Sequence, residues 1–166
     1  MPACADLSVG FGAVPAEDCG EWGARGDERG MNMVIDKNIL EELTAKAMAN
    51  PRLRQSLDLR NNPEDKSQRM LNAIEPGTEI PIHRHPNKDE SFVVLRGKVR
   101  STTYKDDGTV IESVVLSQED GLYGVDIPKG VWHKLESLES GSVVFECKEG
   151  PFVPHEVDGI LDLSQK

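Results

Sequence analysis

GTEIPIHRHPNKDESFVVLRG, residues 77–97, sets His83, His85 and Glu90 between two glycines, and a second histidine-bearing stretch, IPKGVWH, ends at His133. Successive side chains of a strand leave opposite faces, so His83 and His85, two apart, share one face and can converge on one ion. Glu90 follows the turn-like Pro86 to Asp89 and opens SFVVL, whose aromatic and β-branched residues predict a strand. Folding the two segments back over that turn brings a carboxylate beside the imidazoles. His133 follows a Pro-x-Gly turn, shares a face with Val131 and Leu135, and can supply a third nitrogen. Three imidazoles and a carboxylate suit one divalent first-row metal, such as iron, manganese, zinc or nickel, and leave one or two positions for water or substrate. A lone strand histidine is usually a half-buried polar side chain. Here three of the chain's four histidines fall in two segments that can meet, which favours a site.

The same residues carry a family resemblance. Gly77, five residues, His83-x-His85, four residues, Glu90, six residues, Gly97 is similar to the first motif of the cupin superfamily, and Pro128-x-Gly130, two residues, His133 resembles the core of the second. Two positions of that second motif depart from the pattern: Leu122 stands where a glycine is expected and Ser137 where an asparagine is usual. Neither is a metal ligand in the pattern. HRHPNK, with QRMLNAIEPGT upstream and FECKEGPFVP downstream, looks like the WbuC family of cupin-fold metalloproteins, found among bacterial O-antigen and surface-polysaccharide genes. The resemblance runs from about Val34 to Pro154 and implies a cupin fold with a bound metal.

Composition narrows the function classes. A chain of 166 residues is most simply one domain, and a net charge of -10 repels nucleic acid and suits a small-molecule protein of the cytosol. No apolar run approaches a membrane span, and no basic segment followed by an apolar one marks the amino terminus for export. Cys4, Cys19 and Cys147 form no disulfide or zinc pattern. Cys147 shares a strand face with Val143 and Phe145, as a reduced core thiol would.

Along the chain, residues 1–30 are rich in glycine and lack a sustained period, which predicts a disordered extension. Met31 and Met33 stand just before the first patterned residues, where translation could also begin. Residues 31–65 read as a helical extension packed on the barrel: DKNILEELTAKAMAN, capped by Asp36 with Ile39, Leu40, Leu43 and Ala47 on one face, then a second short helix over PRLRQSLDL. Residues 66–155 then alternate short strands with turns, Asp107-Gly108 marking a hairpin, which predicts an all-β fold, a barrel or double-sheet jelly roll. With the resemblance, this becomes a cupin-type double-stranded β-helix. Residues 156–166 read as a polar tail, and His155 is left out of the site.

Strand parity offers candidates for the pocket wall. Gln68 and Asn72 share a face and can fix a sugar hydroxyl or a bound water, or stabilise the strand edge. Arg84 and Lys88 flank the ligands and can meet an anionic substrate or balance nearby carboxylates; Tyr104 can close the pocket or sit on the surface. Lewis-acid isomerisation or epimerisation of a sugar or sugar nucleotide agrees with the surface-polysaccharide setting that the resemblance implies. An iron-dependent oxygenase and a non-catalytic carbohydrate- or metabolite-binding module remain alternatives, because no acid–base pair is legible. Open sheet edges make a homodimer the expected assembly.

Overall fold

A computed structural model describes residues 33–151 and 159–161 of the chain. The extension expected over residues 1–30, His155 and most of the tail expected over 156–166 lie outside them.

The first element is helix α1, Lys37–Ala49. Asp36 caps it as its sequence position predicts: its backbone is extended and its Oδ1 accepts from the Ile39 amide at 3.0 Å. Leu43 and Ala47 are buried on one face, and the helix stops at Asn50, ahead of Pro51.

The second helix expected over PRLRQSLDL does not form. Asn50 closes a turn instead, with its side chain accepting from the Arg52 amide and its carbonyl from the Leu53 amide, and Arg54–Asp58 is strand β1. The spacing of Leu53 and Leu57 suits a helix, but five residues gain more by pairing antiparallel with the otherwise open edge of the next strand. Leu57 reaches the same apolar cluster from its strand position.

Seven further strands follow: β2 Ser67–Ile74, β3 Glu90–Arg96, β4 Lys98–Tyr104, β5 Val110–Ser117, β6 Gly124–Ile127, β7 Trp132–Ser137 and β8 Ser142–Glu149. Their boundaries follow the alternating runs and turn signals of the sequence. They build two antiparallel sheets, ordered β1-β2-β8-β3-β6 and β5-β4-β7. At His83 the chain adds to the free edge of β7, exchanging backbone hydrogen bonds with His133 at 3.0 and 2.8 Å. The connections cross repeatedly between sheets, as in a jelly roll. Tyr104 and Val110 pair across the Asp107-Gly108 hairpin, and Gly108 takes the positive φ of 83° that such a turn requires.

Parity separates two cores. Phe92, Val94, Val99, Leu116, Leu135 and Val144 fill the space between the sheets. On the outer face of the larger sheet, Leu71, Ala73 and Val143 pack with Leu43 and Ala47 of α1. Arg96, at a bulge in β3, fastens the helix by donating to the Leu40 carbonyl and to Thr44 Oγ1. Cys147 is a free, half-buried cysteine on β8, two residues from Phe145 on the same face.

Gly97 explains the last position of the histidine-bearing stretch. It reverses the chain between β3 and β4 at φ 81°, and a β-carbon there would lie 2.8 Å from Ser142 Cα. Gly97→Ala is expected to cost about 1–2 kcal/mol from the left-handed conformation alone, with the displacement of Ser142 added. Urea denaturation checks this, and an unchanged midpoint would contradict it.

Candidate metal centre

The strand period does place His83 and His85 together, but the route to Glu90 differs from a simple fold-back. The turn over 86–89 carries the chain from the smaller sheet, where His83 pairs with His133, to the larger one, where Glu90 opens β3. The carboxylate therefore faces the imidazoles across the barrel. The ligand atoms of His83, His85, Glu90 and His133 all lie within 4.8 Å of one another. Two ligands on opposite sides of an ion, each at about 2.0–2.2 Å, stand roughly 4.2 Å apart, so the cluster has the dimensions of one coordination shell.

Hydrogen bonds set the tautomers. His83 Nδ1 lies 3.1 Å from the Pro81 carbonyl and His133 Nδ1 lies 2.9 Å from the Val131 carbonyl; a carbonyl only accepts, so both protons sit on Nδ1. Each Nε2 then presents a lone pair to the cluster. His83 Nε2 is buried and has no hydrogen-bond partner, although a buried polar atom normally has one. His133 Nε2 lies 3.0 Å and His85 Nε2 3.5 Å from Glu90 Oε2. Two lone pairs facing at 3.0 Å require either a second proton on His133 or a cation that both can bind. The residues present fit a metal ion: three imidazoles and one carboxylate oxygen converge, and His83 Nε2 has no hydrogen-bond partner there.

Electrostatics agree with that protonation pattern. Burial, aided by the neighbouring His133, pushes the His83 imidazolium down to about 3, so at neutral pH the ring is the neutral form a metal binds. Burial, the largest single influence, works against the charge on Glu90, but Lys148, His133 and His85 together outweigh it, and the carboxyl is held well below its usual range.

Two functional candidates escaped the sequence reading. Glu146 and Lys148 project from β8 into the barrel, both almost wholly buried. Lys148 Nζ donates to Glu90 Oε1 at 2.9 Å and to Glu146 Oε1 at 2.6 Å. Burial pushes the Glu146 carboxyl up to about 8 against the pull of Lys148. Burial also disfavours the Lys148 charge, but Glu146 and Glu90 together hold its ammonium above the usual lysine value. The available signal was parity: once Cys147 is assigned outward with Phe145, Glu146 and Lys148 must face in.

The other residues considered for the pocket separate. Gln68 and Asn72 are buried and face inward. Asn72 Nδ2 donates to Glu146 Oε2 at 2.7 Å, while Gln68 Nε2 donates to the Glu149 and Gly150 carbonyls and its Oε1 is buried without a hydrogen-bond partner. Arg84 lies over the Trp132 ring at 4.2 Å, with Asp106 3.9 Å away, and Lys88 donates to the Pro151 carbonyl at 3.1 Å. Tyr104 sits opposite Trp132 in register, on the face away from Thr103 and its partner His133. A cavity of about 160 Å³ lies between the sheets, lined in part by Ser101, Thr103, Val125 and Ile127. Thr103 stands directly opposite His133 and Ile127 directly opposite Glu90, so two of the lining residues pair in register with two of the four candidate ligands, which do not themselves line the cavity.

A family model described as a domain of unknown function, DUF6016, matches residues 35–116. A search of curated proteins finds no match. Among solved structures, the capsular polysaccharide assembling protein CapF from Staphylococcus aureus is similar at 28% identity, with a TM-score of 0.52, over 64% of this chain. A second crystal form gives 26% and 0.55 over 68%, and CapF with the inhibitor 3-isopropenyl-tropolone gives 27% and 0.53 over 64%. The chain spans about 30% of the length of CapF. Among the described residues no helix is long and apolar enough to cross a membrane. The fold is a cupin-type jelly roll preceded by a short helix, with three histidines and a glutamate gathered inside the barrel.

Proposed function

We propose that the chain is a metal-binding cupin in which His83, His85, Glu90 and His133 hold one divalent ion, and that it acts on a small sugar or sugar-nucleotide-like substrate in bacterial surface-polysaccharide biosynthesis. The observation that carries the metal is His83 Nε2, a buried lone pair aimed at two other imidazoles and a carboxylate with no protein donor in reach. When bound, the ion would supply Lewis-acid polarisation of a carbonyl or hydroxyl, the chemistry of isomerisation and epimerisation.

The remaining contributions come from the chain. The cavity whose walls include the strand neighbours of His133 and Glu90 mixes apolar Val125 and Ile127 with the hydroxyls of Ser101 and Thr103, a lining suited to one face of a sugar. At about 160 Å³ it is smaller than the roughly 300–1,000 Å³ of pockets that swallow a drug-sized ligand, so it would enclose a single sugar-sized group and leave any nucleotide outside. Gln68 Oε1 offers a buried acceptor for a hydroxyl or a water. Arg84, exposed in part beside Trp132, and Lys88 flank the ligands of the first histidine-bearing stretch and suit an anionic portion of the substrate. The surface-polysaccharide setting is supported by the WbuC-like strings HRHPNK and FECKEGPFVP and by the likeness to CapF.

Elemental analysis of protein purified without added metal or nickel resin tests the reading. The wild type is expected to carry about one equivalent of iron, manganese, nickel or zinc and His133→Ala close to none, since the variant loses one of four ligands. A folded wild type that neither carries nor takes up any of these ions would sink it.

A further inference from the structure

We propose that Lys148, backed by Glu146, is a positioning residue that aims Glu90 at the metal: its ammonium occupies Oε1 and leaves Oε2 as the one oxygen offered to the ion. The inference rests on the metal-binding reading above and adds a role for a pair that the ligand set does not include.

The geometry is a chain of contacts that runs from Glu90 through Lys148, Glu146 and Asn72 to Ser56. Lys148 Nζ lies 2.9 Å from Glu90 Oε1 and 2.6 Å from Glu146 Oε1. Glu146 Oε2 accepts from Asn72 Nδ2 at 2.7 Å, and Asn72 Oδ1 accepts from Ser56 Oγ at 2.6 Å. The contacts follow the register of the larger sheet. Lys148 is the direct cross-strand neighbour of Glu90, and Ser56 is that of Asn72. Four adjacent strands, β1, β2, β8 and β3, thus each contribute at least one member.

A carboxylate on two methylene-linked torsions can swing or bind an ion through both oxygens. With Oε1 held by the ammonium, rotation costs a buried hydrogen bond and Oε2 alone faces His133 and His85, at 3.0 and 3.5 Å. Four protein donors then reach the ion instead of five, and a coordination position stays open for substrate. Glu146 and Asn72 keep the ammonium from following Glu90 if the carboxylate moves. Partners that orient a metal ligand in this way typically account for about 10–100-fold in affinity.

The test compares cobalt(II) binding to the wild type, Lys148→Met, Lys148→Arg and Glu146→Gln, reading affinity by competition with a chelator and coordination by the visible ligand-field spectrum. Lys148→Met is expected to bind about 10–100-fold more weakly, with the weaker absorption of a more highly coordinated ion as Glu90 turns both oxygens inward. Lys148→Arg, which keeps a cation against Oε1, should recover most of the wild-type spectrum, and Glu146→Gln, which leaves the Lys148–Glu90 contact in place, should keep it. If Lys148→Met does not fold by circular dichroism, the double variant Glu146→Gln/Lys148→Met, with one buried carboxylate fewer, is read in its place. A folded methionine variant with wild-type affinity and spectrum overturns the positioning role while leaving the metal site standing. A wild type that takes up no cobalt, zinc or manganese overturns both.

Discussion

Lys148→Met is expected to destabilise the metal-free protein by about 3–5 kcal/mol at neutral pH, a large share of the ~5–15 kcal/mol that holds a domain folded. The side chains of Lys148, Glu90 and Glu146 are each 2% exposed or less, so removing the ammonium leaves two acidic groups without their cation where water cannot solvate a charge. The loss exceeds the worth of the ion pair itself, because it includes the cost of the charges left behind. Adding Glu146→Gln should therefore recover part of the stability instead of compounding the loss. The deficit at neutral pH comes mainly from Glu90, whose carboxyl Lys148 helps to hold low and which rises without it, whereas Glu146, already pushed up to about 8 beside Lys148, adds to the deficit only at higher pH. The deficit shrinks as the pH falls towards the range where unfolded carboxyls also take up protons. Urea denaturation at pH 7 and pH 5 measures both effects. A methionine variant as stable as the wild type, or a double variant worse than the sum of the singles, would show that the three groups do not act as one unit.

That triad also marks the limit of what the sequence disclosed. His83, His85, Glu90 and His133 were legible because strand alternation fixes which side chains share a face, and two-residue spacing is local information. The strand boundaries were legible for the same reason, through runs of β-branched residues closed by turn residues. The placement of Glu90 across the barrel was not, because a turn such as Pro86 to Asp89 can return a chain to the same sheet or send it to the opposite one. The choice was made by the edge of β7, some fifty residues away, which paired with His83. The same kind of non-local choice turned residues 54–58 from the expected helix into β1, where an open edge of β2 outweighed a leucine spacing suited to either state. Lys148 and Glu146 went unread because charged residues on a strand normally face solvent, and only three-dimensional pairing reveals that these two neutralise one another inside. Tyr104 shows parity alone falling short: its face could be assigned only once Thr103 was found opposite His133.

In the presence of a chelator the protein is expected to lose stability steadily as the pH falls below about 6.5, and His83 should account for close to one proton of that dependence. The unfolded chain protonates this histidine near 6.5, whereas in the folded protein burial and the adjacent His133 keep the ring neutral down to about 3. Between those values the unfolded state binds a proton that the folded state refuses, so the stability present above about 6.5 is lost as the pH falls towards about 3. One proton corresponds to about 1.4 kcal/mol for each pH unit. From pH 6.5 to pH 4.5 the contribution of His83 alone is therefore roughly 3 kcal/mol. Other groups titrate in the same window, so the informative quantity is the difference between the wild type and His83→Gln, which keeps a polar side chain and removes the titration. The variant's stability–pH slope should be shallower by about one proton equivalent. Parallel slopes for wild type and variant in chelator would mean that His83 is solvated and titrates normally. That would remove the buried lone pair on which the metal centre rests.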